Sequence, residues 1–90
     1  MILIIIYKGR KYELEVNGND NVRMIMEKFY NLINKNFNER FYTKDKMIFK
    51  FNDVLLNDNE NSLNKTADEW ELMEDDNLTL IASKDIVPGR

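Results

Sequence analysis

Residues 1–6 are apolar at every position, and beyond Lys8-Gly9-Arg10 the chain alternates strictly through Tyr12, Leu14 and Val16. Successive side chains of a strand point to opposite faces, so the first run predicts a strand covered on both faces and the second a strand covered on one. The membrane alternative fails on length, because a spanning helix needs roughly 20 apolar residues, and no basic segment precedes the run as in a signal peptide. Asn17-Gly18-Asn19-Asp20-Asn21 then interrupts the pattern, and Asp20 or Asn21 is placed to cap a helix starting near Val22. Val22, Ile25, Met26, Phe29, Leu32 and Ile33 fall on one helical stripe, with Arg23, Glu27, Lys28 and Asn31 toward water.

Residues 34–38 are expected to end that helix, with Phe37 returning to the core, and a polar link through Lys44-Asp45-Lys46 leads to a third strand over 47–51. A short fourth strand follows near Val54-Leu55-Leu56, then a long polar loop over 57–65 with Leu63 its only sizeable apolar residue. Thr66-Ala67-Asp68-Glu69-Trp70 reads as a helical turn that buries Trp70, and Leu78-Thr79-Leu80-Ile81 as the last strand. Strand, strand, helix, strand, short strand, turn, strand predicts an α+β fold, a mixed four- to five-stranded sheet with one helix across one face. The first and last strands are expected in the middle, with Ile2, Ile4 and Ile6 toward the helix and Leu3 and Ile5 on the opposite face. The predicted core is Ile4, Leu14, Ile25, Phe29, Phe49, Leu56, Trp70, Leu72, Leu78 and Leu80.

Composition narrows the chemistry. Ninety residues allow a single domain with a thin margin of stability. With no cysteine and no histidine there is no disulfide, thiol nucleophile, imidazole base or Cys/His zinc site, which removes most common enzyme chemistries. A net charge of −3 with mixed signs argues against nucleic acid as the partner, and the missing disulfides suit the cytoplasm, the nucleus or both. Glu69, Glu71, Glu74, Asp75 and Asp76 lack the ligand spacing of a calcium loop and read as a solvated turn, so no metal and no cofactor is expected.

The segments from Met1 to about Ala82 resemble the ubiquitin-like β-grasp family, ubiquitin and SUMO proteins in particular. The hairpin around Gly9-Arg10 followed by Leu14-Glu15-Val16 resembles ubiquitin's opening hairpin. Met47-Ile48-Phe49-Lys50-Phe51-Asn52-Asp53-Val54-Leu55-Leu56-Asn57-Asp58 is similar, without a gap, to the third-strand segment of SUMO proteins. Thr66-Ala67-Asp68-Glu69-Trp70-Glu71-Leu72-Met73-Glu74-Asp75-Asp76 with the strand after it is similar to the turn, acidic corner and last strand of both. The resemblance implies a ubiquitin-like domain over residues 1–83 and a flexible tail or linker over 84–90.

Ubiquitin-like domains work through surfaces, and the resemblance implies three. On the open sheet face the matching positions are Leu3, Ile5, Tyr7, Ile48, Lys50, Thr79 and Ile81, where an apolar row would mark a partner site. Lys50 stands where ubiquitin's patch has its central apolar residue, so standard ubiquitin receptors are expected to bind poorly. A groove between edge strand and helix would be lined by Tyr12, Glu13, Leu14, Glu15, Arg23 and Glu27, its glutamates favouring a basic-flanked strand over an acidic SUMO-type ligand. In the tail, Ile86 and Val87 stand where a SUMO protein carries two glycines, and Gly89 beside Pro88 does not replace them.

The function expected is therefore that of a non-covalent protein-interaction module, not an enzyme, excised from a longer fusion or polyprotein. The alternative is a ubiquitin- or SUMO-like covalent modifier whose conjugation-competent C-terminus is made by precursor processing. Expected partners are proteins, either receptors of ubiquitin-like domains or processing and conjugation machinery, with no nucleic acid and no membrane, and the chain is expected to be a monomer.

Overall fold

A computed structural model describes residues 1–33, 47–57 and 59–82, the side chains of Met47 and Ala82 excepted. The expectations for Phe37, for the link through Lys44-Asp45-Lys46 and for the tail from Ser83 onward lie outside the described residues. Seven elements follow in order: β1 (Ile2–Tyr7), β2 (Arg10–Glu15), α1 (Val22–Leu32), β3 (Met47–Phe51), β4 (Val54–Leu55), α2 (Glu60–Asn64) and β5 (Asn77–Ala82). They form one five-stranded sheet in the order β2-β1-β5-β3-β4, with β1 and β5 parallel at its centre and the other pairs antiparallel.

Two turns set the registers. Lys8 and Gly9 both have positive φ, 50° and 76°, as do Asn52 and Asp53, 48° and 66°. Two-residue loops of this kind match the right-handed twist of the strands they join. The first turn places Tyr7 opposite Arg10, and so Ile5 opposite Tyr12 and Leu3 opposite Leu14. Directly opposed residues share a face, so the alternation of β2 decides which side of β1 is inside. Leu3, Ile5 and Tyr7 are therefore buried toward the helix, while Ile2, Ile4 and Ile6 are half-buried on the opposite face. This reverses the expected sides of β1, because a strand apolar at every position carries no facing signal of its own.

Helix α1 starts where its cap dictates. The Asn21 side chain accepts from the Met24 N–H at 2.9 Å and satisfies an amide that the first turn leaves without a partner. Val22, Ile25, Met26 and Phe29 enter the core as the stripe predicts, but Tyr30 joins them and Leu32 stays 50% exposed. Phe29 sits edge-on to Tyr7, Tyr12 and Phe49 with ring centroids 5.9, 5.5 and 6.2 Å away, which couples α1 to three strands. Of the predicted core, Leu14, Ile25, Phe29, Phe49, Leu56, Leu72, Leu78 and Leu80 are buried. Ile4 lies on the other face, and Trp70 is only half-buried, packed against the core edge with the Lys65 ammonium 3.9 Å from its ring centre. Part of the expected polar loop is α2, capped by the Asn59 side chain, whose Leu63 joins the core.

Asp20, the other capping candidate, has a different role. Only 3% exposed, it accepts from the Asn17 N–H at 2.9 Å and from the Lys28 ammonium at 2.6 Å. Burial alone would raise its pKa, but the Asn17 amide and Lys28 outweigh that and hold the carboxyl below its ordinary value. Such a group stabilises the fold fully above the ordinary carboxylate range, and the contribution is lost as pH falls through the depressed folded value. Asp20→Ala should cost about 1–3 kcal/mol near neutral pH, since it removes both the acceptor of the part-buried Asn17 amide and the partner of the Lys28 ammonium. Urea unfolding of parent and variant should converge as pH is lowered, and a gap that persists in acid would rule out the ion pair as its source.

Candidate functional site

The buried residues of both helices belong to one core cluster, on the side of the sheet that holds Leu3, Ile5, Leu14, Phe49, Leu78 and Leu80. The other face carries Ile2, Ile4 and Ile6 from β1, Lys11, Glu13 and Glu15 from β2, Asn77, Thr79 and Ile81 from β5, and Ile48 and Lys50 from β3. Strand alternation and pairing place them in cross-sheet rows. Ile2 is opposite Glu15, Ile4 lies between Glu13 and Asn77, and Ile6 lies between Lys11 and Thr79, with Lys50 beyond Thr79. Ile81 and Ile48 form the row nearest the β1–β2 turn. Two clefts touch this face. One, of about 670 Å³, is lined by Ile4, Lys11, Glu13 and Asn77 together with Tyr12 and Leu32, and so reaches round the β2 edge toward α1, and another, of about 380 Å³, is lined by Lys50, Asn52, Asp53, Asn77, Thr79 and Ile81.

Of the residues expected on the open face, Ile48, Lys50, Thr79 and Ile81 are brought together there, and Leu3, Ile5 and Tyr7 are core. Ile48 is 6% exposed yet stands outside the helix-side cluster. Lys50 is held by Asp53 at 3.2 Å across the β3–β4 turn. The apolar residues that the sequence reading missed on this face are Ile2, Ile4 and Ile6. The two-residue turn at Lys8-Gly9, read together with the alternation of β2, was the signal that would have found them.

The expected groove set is divided among three places. Tyr12 and Leu14 turn inward, Tyr12 against Phe29 and Leu14 into the core. Glu13 and Glu15 point to the open face, and Arg23 donates to the Asn64 Oδ1 at 2.8 Å, toward α2. Glu27 is exposed on α1. Among the described residues the outer edge of β2 pairs with no second strand; Tyr12 and Glu13 both line the larger cleft, with Lys11 and Leu32, while Arg23 is turned to α2.

The acidic corner is bound into the fold. Thr66 and Glu69 cap each other reciprocally at 3.1 Å, the Glu74 Oε1 accepts from the Ile2 N–H at 2.6 Å, and the Asp76 Oδ2 accepts from the Met73 N–H at 2.7 Å. Asp75 donates its N–H to the Ile2 carbonyl, so Glu74, Asp75 and Asp76 lie beside the start of β1. Among the described residues no three His, Cys, Asp or Glu side chains are grouped to hold a metal, and no helix is long and apolar enough to cross a membrane.

No family model and no curated protein sequence matches the chain. Solved structures do. A structure described as molecular mimicry of SUMO that promotes DNA repair superposes with a TM-score of 0.71 at 15% identity, over 90% of this chain and 89% of that one. The ubiquitin-like domain of an Arabidopsis thaliana protein gives 0.71 at 15% identity, over 96% and 79%. A ubiquitin from Caldiarchaeum subterraneum gives 0.67 at 21% identity, over 99% and 98%. At these identities the likeness establishes the fold and leaves the role of each residue to this chain's own geometry.

Proposed function

From the premise that the chain has the ubiquitin-like β-grasp fold, we propose that it is a non-covalent protein-interaction module, not an enzyme, whose contact surface is the open face of the sheet. The supporting observation is the isoleucine column Ile2, Ile4 and Ile6 on a face that neither described helix covers. Apolar side chains in a contiguous row gain free energy when a partner removes them from water, and the clefts on either side of Asn77 give that partner relief to fit. The ubiquitin arrangement is displaced: Lys50 occupies the centre of the corresponding patch, and the apolar weight moves to β1. Receptors that bury ubiquitin's central residue would meet a lysine held by Asp53.

The test is affinity capture from the native source with the parent and an Ile4→Ser/Ile6→Ser variant. Both residues are half-buried, so the variant should stay folded, while partners captured by the parent should be depleted about 10- to 100-fold. Equal capture by the two proteins would remove the open face from the proposal. Purification under denaturing conditions reads the competing class: adducts that survive and carry an isopeptide bond to the chain would make it a covalent modifier.

A further inference from the structure

Resting on that open-face reading, we infer the shape, charge and direction of the partner: an amphipathic helix lying along β1, its N-terminus over the acidic corner, with Lys or Arg on the flank that faces β2. The spacing comes first. Alternate residues of a strand are about 6.6–6.8 Å apart, and helix residues i and i+4 are about 6 Å apart along the axis. Ile2, Ile4 and Ile6 therefore match the axial spacing of the i, i+4 and i+8 side chains, and because that row is inclined by about 26° to the helix axis the helix follows β1 at a shallow crossing angle of that order. A helix about 10–12 Å wide, on strands about 4.8 Å apart, covers β1 and reaches both neighbours.

Those neighbours differ. On the β5 side the helix meets Asn77 and Thr79, which are polar and uncharged. On the β2 side it meets Glu15 beside Ile2 and Glu13 beside Ile4, then Lys11 beside Ile6. Among the described residues Glu13 and Lys11 have no ion-pair partner, and Glu15 has only the Met1 amine at 3.6 Å. Two carboxylates on one flank thus favour cations on one side of the helix alone, and Lys11 disfavours a third cation at the far end.

Direction follows from the ends of the column. Glu74, Asp75 and Asp76 stand beside Ile2, while Lys11 and, across Thr79, Lys50 stand at the level of Ile6. The N-terminal end of a helix carries partial positive charge and the C-terminal end partial negative charge. A helix running in the same direction as β1 places its positive end at the acids and its negative end at the lysines.

The probes are two synthetic 18-residue helical peptides with the same leucine stripe, one with lysines on the β2-facing flank of its N-terminal half and one with glutamates there. In NMR titrations at low salt the lysine peptide should bind about tenfold tighter, shifting Ile2, Ile4, Ile6, Glu13 and Glu15, with the difference shrinking at high salt. Glu13→Lys/Glu15→Lys should reverse the preference. A nitroxide at the peptide's N-terminus should broaden Ile2 and Asp76, and one at its C-terminus should broaden Lys11. Equal affinities with shifts still on the open face would overturn the charge assignment and leave the open-face reading standing, and exchanged broadening would overturn the direction. Shifts confined to the β2–α1 edge, no shift with either peptide, or a doubling of mass with protein concentration and no peptide response would overturn the helical partner altogether.

Discussion

Phe29→Ala is expected to lower the stability of the domain by about 3–5 kcal/mol, the range for truncating a buried aromatic and leaving a cavity behind. Phe29 has no exposed surface and contacts the rings of Tyr7, Tyr12 and Phe49, so the loss falls on β1, β2 and β3 together. Small domains have total stabilities of about 5–15 kcal/mol, so the variant should lie near its unfolding midpoint under mild denaturant. Leu32→Ala, on the same helix but half exposed, provides the comparison and should cost well under 1 kcal/mol beyond helix propensity. Urea unfolding of the three proteins measures both. A Phe29→Ala midpoint equal to that of the parent would mean that α1 packs on the sheet through other residues.

Ile5→Ala should cost about 2–5 kcal/mol, whereas Ile4→Ala, one residue earlier, should cost about 1 kcal/mol or less. Ile5 is fully buried, opposite Tyr12 and beside Leu78, and its truncation opens a void beneath α1. Ile4 is half-buried on the face away from the helix, and water can fill the space its truncation leaves. The two side chains are chemically identical and adjacent, so the difference measures facing alone. Denaturant unfolding with unchanged m-values would report it cleanly. If Ile4→Ala proved the more damaging, the register set by the Lys8-Gly9 turn would be wrong, and with it the apolar column of the open face.

Local pattern carried much of this architecture. The 3.6-residue spacing of Val22, Ile25, Met26 and Phe29 specifies a helix and its inner stripe, because only one side of that helix is apolar. The alternation of Tyr12, Leu14 and Val16 specifies a strand covered on one side for the same reason, whereas the expectation that β1 is covered on both faces is corrected: the described helices cover the side of Leu3, Ile5 and Tyr7, and Ile2, Ile4 and Ile6 are half-buried on the other.

Tertiary structure decided what local pattern left degenerate. An all-apolar β1 satisfies either facing equally, and only its pairing with β2 through a two-residue turn buries Leu3 and Ile5 and turns Ile4 and Ile6 outward. The same register carries Glu13 and Glu15 onto the isoleucine face, away from the edge groove, since a shift of one residue exchanges every side chain between faces. Asn57 shows the limit from the polar side: it is fully buried because its Oδ1 accepts from the Phe49 N–H at 2.8 Å, a contact across eight residues. Residue type and spacing thus determined the strands and α1, while α2 stood in a segment that read as a polar loop. Hydrogen bonds between strands determined which apolar side chains became core and which lie on the face that neither described helix covers.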